Sequence, residues 1–247
     1  MMELVRTEKL ALRFGGVVVA DDIDFSLQEG ERLAVIGANG AGKTTFINIC
    51  TGFLRPKSGK IFFAGQEITG KSPRHIVRLG LGRSFQLPQL FLEHTVRQCL
   101  ELAAVGRGGA LSFFKPLAAS VSQTEVDHTL EVTGLRDRAG ELTSSLGEGE
   151  RKLLDVAMAL VLKPKLLIMD EPTSGVASEE KHGIMETLMT ALAERKVTSW
   201  FVEHDVDVVT RHATRVAAWI AGRIAADGTP SEVFADPEVQ RQVLGTH

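Results

Sequence analysis

Long apolar runs are missing from this 247-residue chain: nothing approaches the ~20 apolar residues of a membrane-crossing helix, so no span is expected. Cysteine is scarce. Cys50 and Cys99 have neither paired nor metal-ligand spacing, which argues against a disulfide framework or a zinc site and leaves two small buried residues of a reducing compartment. Neither sign of charge dominates. A net charge of -3 and a pI near 6.2 give no basic field, so nucleic acid is not an expected partner and anionic ligands must be bound locally. The start, MMELVRTEKLALRFGG, lacks the layout of a signal peptide, and no repeat or low-complexity tract follows. The expectation is a cytosolic chain, folded as one unit with internal subdivision and able to dock on a membrane partner.

Glycine, by contrast, is plentiful, with 24 residues, which suits a fold with several tight functional loops. ELVRTEKLALRF, VVVADDIDFSL and ERLAVIG, broken by Gly15-Gly16 and Glu29-Gly30, predict strands and tight turns, and KIFFAGQEI predicts a further hairpin member. From about Thr95 the pattern turns helical, in TVRQCLELAAV, TEVDHTLEVTGL and SSLGEGERKLLDVAMAL. PKLLIMDE and VTSWFVEHD are short, nearly continuous apolar runs ending in acidic residues and histidine, the pattern of parallel strands buried on both faces. ASEEKHGIMETLMTALAERK between them predicts a crossover helix. An α/β core interrupted by an α-helical subdomain follows.

LAVIGANGAGKTTFINI matches G-x-x-x-x-G-K-[ST] from Gly37 to Thr44, where a strand should end and a helix begin. Glycines at 37, 40 and 42 permit backbone angles closed to other residues, so successive N–H groups can surround phosphate oxygens, and the helix start adds its positive dipole end. Lys43 supplies a cation for terminal phosphates and Thr44 a hydroxyl for Mg²⁺. Asp170 and Glu171 follow an apolar strand and point in different directions, so one can serve the Mg²⁺ shell while the other polarises water. His204 ends the second apolar run. Parallel strands ending on one edge would bring it to Asp170 and the phosphate loop.

In order along the chain stand GANGAGKTT, Gln86 in GRSFQLPQLF, the LGEGE segment, LLIMDEPTSG and His204, and this set resembles the ATP-binding subunit of an ABC (ATP-binding cassette) transporter over essentially its full length. The resemblance implies a P-loop NTPase fold with a mixed sheet core, an antiparallel β-subdomain and an inserted α-helical subdomain. Residues 1–94 would form the first part of the nucleotide-binding core, 95–160 the helical subdomain and 161–247 the second part with the tail. It implies ATP and Mg²⁺ as cofactors. Glu171 would be the general base, His204 and Lys43 contacts of the terminal phosphates, and Thr44, Gln86 and Asp170 the Mg²⁺ residues. Asn39, Ala41 and Thr45 complete the phosphate loop. Adenine stacking usually falls to a tyrosine, which this chain lacks. Phe14, supported by Val19, is the positional candidate, with core packing as its rival.

RFGGVVVADDIDFSL, LGRSFQLPQLF and GTPSEVFADPEVQRQVLG look like the uptake ATPases for branched-chain and other hydrophobic amino acids and related small metabolites. That likeness implies a homodimer or a heterodimer with a second ATPase, integral membrane permeases, indirectly a substrate-binding protein, and a place in the cytoplasm on the inner face of the membrane. A lipid- or lipopolysaccharide-export ATPase shares every catalytic motif. A soluble non-transport ABC ATPase would show a second cassette, a zinc module, a coiled coil or a basic face, and a GTPase an N-K-x-D motif. The apolar group around Phe85, Leu87, Leu90 and Phe91 is a candidate socket for the membrane subunit, or a linker packed inside. GRGGALSFFKP, Gly106 to Pro116, is expected to be a loop.

Two departures from the pattern stand out. Val176-Ala177 replaces the usual Leu-Asp after MDEPTSG, removing a carboxylate that commonly couples paired sites. The family's LSGGQ fits in two registers, Ser144 to Glu148 or Leu146 to Glu150. The second puts Ala157 and Ala159 at the small downstream positions, whereas the first puts Asp155 where a buried alanine belongs. In that second register Gly147 stands for the serine, Gly149 is the backbone donor and Glu150 replaces glutamine.

Overall fold

The computed structural model describes residues 2–14, 17–86, 88–106 and 121–245, with backbone alone at 14, 17 and 18. Leu87, Gly15, Gly16, the Phe14 side chain and the 107–116 part of the expected loop lie outside that description.

In chain order the elements begin with strands β1 (Glu3–Phe14), β2 (Val17–Gln28) and β3 (Arg32–Ile36) and helix α1 (Lys43–Cys50). β4 (Ser58–Phe63), β5 (Gln66–Glu67) and α2 (Pro73–Leu79) follow. Then come β6 (Leu81–Ser84), α3 (Val96–Val105), α4 (Gln123–Val132), α5 (Glu148–Leu160), β7 (Leu166–Asp170) and α6 (Ser178–Glu194). β8 (Thr198–Val202), α7 (Val206–His212), β9 (Arg215–Ile220), β10 (Arg223–Gly228), α8 (Pro230–Ala235) and α9 (Pro237–Val239) follow, and a π-helical turn spans Gln240–Leu244. The chain divides into one unit of residues 1–81 with 198–247 and another of residues 82–197.

The first unit holds an antiparallel sheet in the order β2-β1-β4-β5 and a neighbouring run of strands β10-β9-β3-β8. β3 pairs in parallel with both β8 and β9, so Leu33–Ile36 of β3 and all of β8 are covered on both faces. Where α1 packs, Phe46 stacks on Trp219 with ring centroids 4.6 Å apart, and it meets Phe25 and Trp200 at 5.6 and 5.3 Å. That aromatic cluster fixes the helix on which the phosphate loop ends.

In the second unit β7 neighbours β6, and α3, α4 and α5 close around Leu100, Val126, Leu130 and Leu154. The helical run opens at Thr95: its side chain accepts from Gln98 N at 3.2 Å, while Gln98 Oε1 accepts from Thr95 N at 2.9 Å. This reciprocal capping satisfies two helix-end donors and explains why the pattern changes there. No helix among the described residues is long and apolar enough to cross a membrane.

Candidate functional site

Lys43, the loop glycines and His204 belong to the first unit; Gln86, Asp170, Glu171 and the LGEGE segment belong to the second. Within the first, the chain leaves β3 at Gly37 and enters α1 at Lys43, with Gly37, Gly40 and Gly42 all at positive φ. Two of these glycines also allow close approach. A Cβ on Gly37 would lie 2.3 Å from the Trp219 carbonyl oxygen, and one on Gly42 would lie 2.4 Å from that of Val19. Lys43 is buried, and its Nζ donates to Gly37 O at 2.6 Å and Ala38 O at 3.0 Å. Ala41 O accepts from Gly222 N at 3.0 Å, which ties the loop to the β9–β10 turn. Asn39, Gly40 and Thr44 are exposed and Ala41 and Thr45 half-buried, so the loop's outer face is open while its base is packed. His204 is exposed just beyond β8, its N–H donating to Glu203 Oε2 at 3.2 Å.

In the second unit Asp170 ends β7 at 3% exposure, and its Oδ2 accepts from Arg83 at 3.3 Å. Glu171 then takes φ 52°, a conformation that costs a non-glycine residue about 1–2 kcal/mol. The twist separates the two carboxylates: Glu171 Oε2 accepts from Gln86 Nε2 at 2.7 Å. Gln86 and Glu171 are thus brought together directly, 85 residues apart in sequence.

Helix α5 begins at Glu148 with Gly147 at its N-cap, φ -66° and ψ 166°, and without a capping side chain. Glu150 turns back, Oε2 accepting from Gly147 N at 3.0 Å and Oε1 from Arg138 Nε at 2.8 Å. Gly149 sits in the first turn, where a Cβ would come within 2.5 Å of Ile184 Cδ1. Ser145, the serine of the other register, lies in a short 3-10 turn and donates its hydroxyl to Leu142 O at 2.7 Å.

Three polar residues that belong to no motif lie beside these groups: Arg83, Lys152 and Asp155. Lys152 is 4% exposed; its Nζ donates to Gln86 O and, at 3.5 Å, to Glu171 O. Asp155, noticed in sequence only as a misfit among apolar neighbours, accepts from Phe85 N at 2.9 Å. Burial raises its carboxyl from 3.8 to about 6, with the Phe85 N–H and the Lys152 charge opposing.

The native state therefore binds this proton more tightly than the unfolded chain does. The stability it lends is full below pH 3.8 and is lost as pH rises through about 6. At about 1.4 kcal/mol per tenfold change in proton affinity, the loss is on the order of 3 kcal/mol. Asp155→Asn cannot ionise and still accepts from Phe85. It is expected to exceed the parent in stability by that order near pH 7.5 and to match it at about pH 4. Urea unfolding at both pH values checks this, and a parent–variant difference that ignores pH counts against it.

The family described as ABC transporter matches residues 20–174. The chain is similar to the probable branched-chain amino acid transport ATP-binding protein LivG of Archaeoglobus fulgidus, 34% identical over 250 residues that cover 99% of this chain and 96% of that one. It is also similar to the high-affinity branched-chain amino acid transport ATP-binding protein BraF of Pseudomonas aeruginosa, at 30% identity with 98% of each covered. Among solved structures, an ATP-binding cassette of an ABC transporter in its ADP conformation matches with a TM-score of 0.86 at 30% identity, covering 98% of both chains.

Proposed function

The chain belongs to the ABC transporter family as an ATP-binding, ATP-hydrolysing subunit, and from that premise we infer that it powers uptake of branched-chain amino acids or a related small metabolite. The observation that carries the uptake reading is the end-to-end likeness to ATP-binding proteins of branched-chain amino acid transport. Three segments serve this work in the proposal: 1–94 and 161–247 as the nucleotide-binding core and 95–160 as the helical part that carries the signature.

The residues present fit a nucleotide and its metal. The loop glycines adopt angles that side chains disfavour, Lys43 is anchored on loop carbonyls, and Asp170 is a buried carboxylate at a strand end. In this reading Lys43 and the loop N–H groups would bind the phosphates, Phe14 with Val19 would take the adenine, and Thr44, Asp170 and Gln86 would be the Mg²⁺ residues. When bound, Mg²⁺ neutralises charge on the phosphoryl oxygens. Gln86 also orients Glu171, which takes a proton from the attacking water, and His204 steadies the γ-phosphate.

One phosphate loop leaves the outer face of the γ-phosphate open, so the working form is a head-to-tail dimer, of this chain or with a second ATPase. The dimer sits under membrane permeases on the cytoplasmic side, served by a substrate-binding protein. Phe91, Leu92 and Leu142 are each about half exposed. Thr143 N donates to His94 O at 2.9 Å, and Ser144 N to Leu92 O at 3.2 Å, which joins their two segments into one patch suited to a permease helix. Light scattering of Glu171→Gln with ATP is expected to report dimers, and monomers persisting at high concentration would sink the dimer reading.

The helix start at Glu148 favours the register in which Gly147 replaces the signature serine. A hydrogen bond to a charged group is worth about 1.5–3 kcal/mol, so the missing hydroxyl weakens closure on the partner's nucleotide without forbidding it. The backbone at Gly147 already suits serine, and an added Cβ would stand 3.7 Å from Glu150 Oε2, an ordinary contact. Serine there would also complete an S-x-x-E capping pair with Glu150. Gly147→Ser is expected to keep or raise the steady-state ATPase rate; a severe loss would point to the other register.

A further inference from the structure

We propose that Lys152 and Asp155 are positioning residues that clamp the 85–86 backbone and the Glu171 carbonyl to the signature helix, so that the Gln86–Glu171 pair moves only when α5 moves. The inference rests on the assignment of Glu171 as the base. The two side chains lie three residues apart, on one face of α5. They grip successive backbone groups: Asp155 accepts from Phe85 N at 2.9 Å, and Lys152 donates to Gln86 O. Gln86 then reaches Glu171 through its side chain at 2.7 Å, and Lys152 returns to Glu171 O at 3.5 Å. The result is a closed ring of polar contacts through helix, glutamine and carboxylate.

Simple packing does not explain this arrangement. Lys152 and Asp155 are both nearly inaccessible to solvent, and a buried cation is costly unless its donors are used. Here they are used on the carbonyls of Gln86 and Glu171, the two residues whose side chains meet. Glu171 holds a left-handed backbone that surrounding contacts must stabilise, and Lys152 supplies one of them. A shift of about 1 Å in such positioning groups can cost about a hundredfold in rate. The helix whose N-terminus faces the partner's nucleotide in the proposed dimer would thereby set the geometry of its own unit's base.

The test is steady-state ATPase kinetics on the full chain. Lys152→Met is expected to lower kcat about tenfold or more with the ATP KM within about twofold, and Lys152→Arg to recover most of the loss. If the clamp acts through Gln86, then in a Gln86→Ala background Lys152→Met should cost less than about twofold more. An unchanged kcat, or the same factor in both backgrounds, overturns the proposal. Because removing a buried charge can unfold a chain, hydrogen exchange of the Phe85 amide is read in Asp155→Ala against Asp155→Asn, which retains an acceptor. Faster exchange confined to residues 85–86 in the alanine variant supports the clamp. Unchanged exchange, or exchange raised throughout the unit, overturns it. A wild-type chain without ATPase activity would sink the function, whereas an active chain indifferent to Lys152 would sink the clamp alone.

Discussion

Glu171→Gln is expected to lower kcat for ATP hydrolysis by about 10²–10⁴-fold while ATP binding is retained, the loss typical of removing a general base. Glutamine has the same length and still offers a carbonyl oxygen where Glu171 Oε2 accepts from Gln86, so the contact at 2.7 Å can survive. What disappears is the basic oxygen. Lys43→Ala should fail at another step. Its ammonium lies within the loop, held by Gly37 O and Ala38 O, and its removal takes away the cation proposed to neutralise the terminal phosphates. Loss of nucleotide binding, read by fluorescence titration, is expected there, with hydrolysis lost as a consequence. Retained hydrolysis in both variants would overturn the catalytic assignment.

The parts of the fold written in local signals were legible in the sequence. RLAVI, LLIMD and TSWFV are nearly continuous apolar runs, and β3, β7 and β8 are the strands they form. The change to helix at Thr95 has its cause in a capping pair three residues apart. The glycine turn from β3 into α1 could be read because glycine spacing is itself the physical requirement of its backbone. Contacts over long separations left no such trace. Arg83 reaches Asp170 across 87 residues, and Lys152 reaches Gln86 across 66. Neither spacing means anything until the chain has folded. The one hint was Asp155, a carboxylate between Leu154 and Val156, both buried. A polar residue in an apolar stripe must find a partner, yet sequence cannot say that the partner is Phe85 N. Ala177 shows the converse. The carboxylate missing there also leaves the N-cap of α6 without a side-chain acceptor, a cost of about 1 kcal/mol that packing of Ile184, Met185 and Leu188 must offset.

Gly42→Ala is expected to be far more damaging than Gly40→Ala, although both glycines sit at positive φ in the same loop. At Gly40, φ 80°, an added Cβ would meet nothing within 4 Å, so only the backbone penalty of about 1–2 kcal/mol applies. At Gly42, φ 109°, the Cβ would stand 2.4 Å from Val19 O and 3.0 Å from Trp219 Nε1. Val19 O is main chain of β2, and Trp219 is stacked on Phe46. Neither neighbour can give way without moving the core that holds α1. Overpacking of that kind adds about 1–3 kcal/mol to the backbone penalty. For a chain of this size each kcal/mol lowers Tm by about 2–4 °C, so Gly42→Ala should melt roughly 4–20 °C below the parent and Gly40→Ala roughly 2–8 °C below. The loop would also lose its path around the phosphates in the first variant, so ATP affinity should fall with Tm. Equal melting temperatures for the two variants would mean that backbone angle alone, and not close approach to Val19 and Trp219, sets the requirement for glycine at position 42.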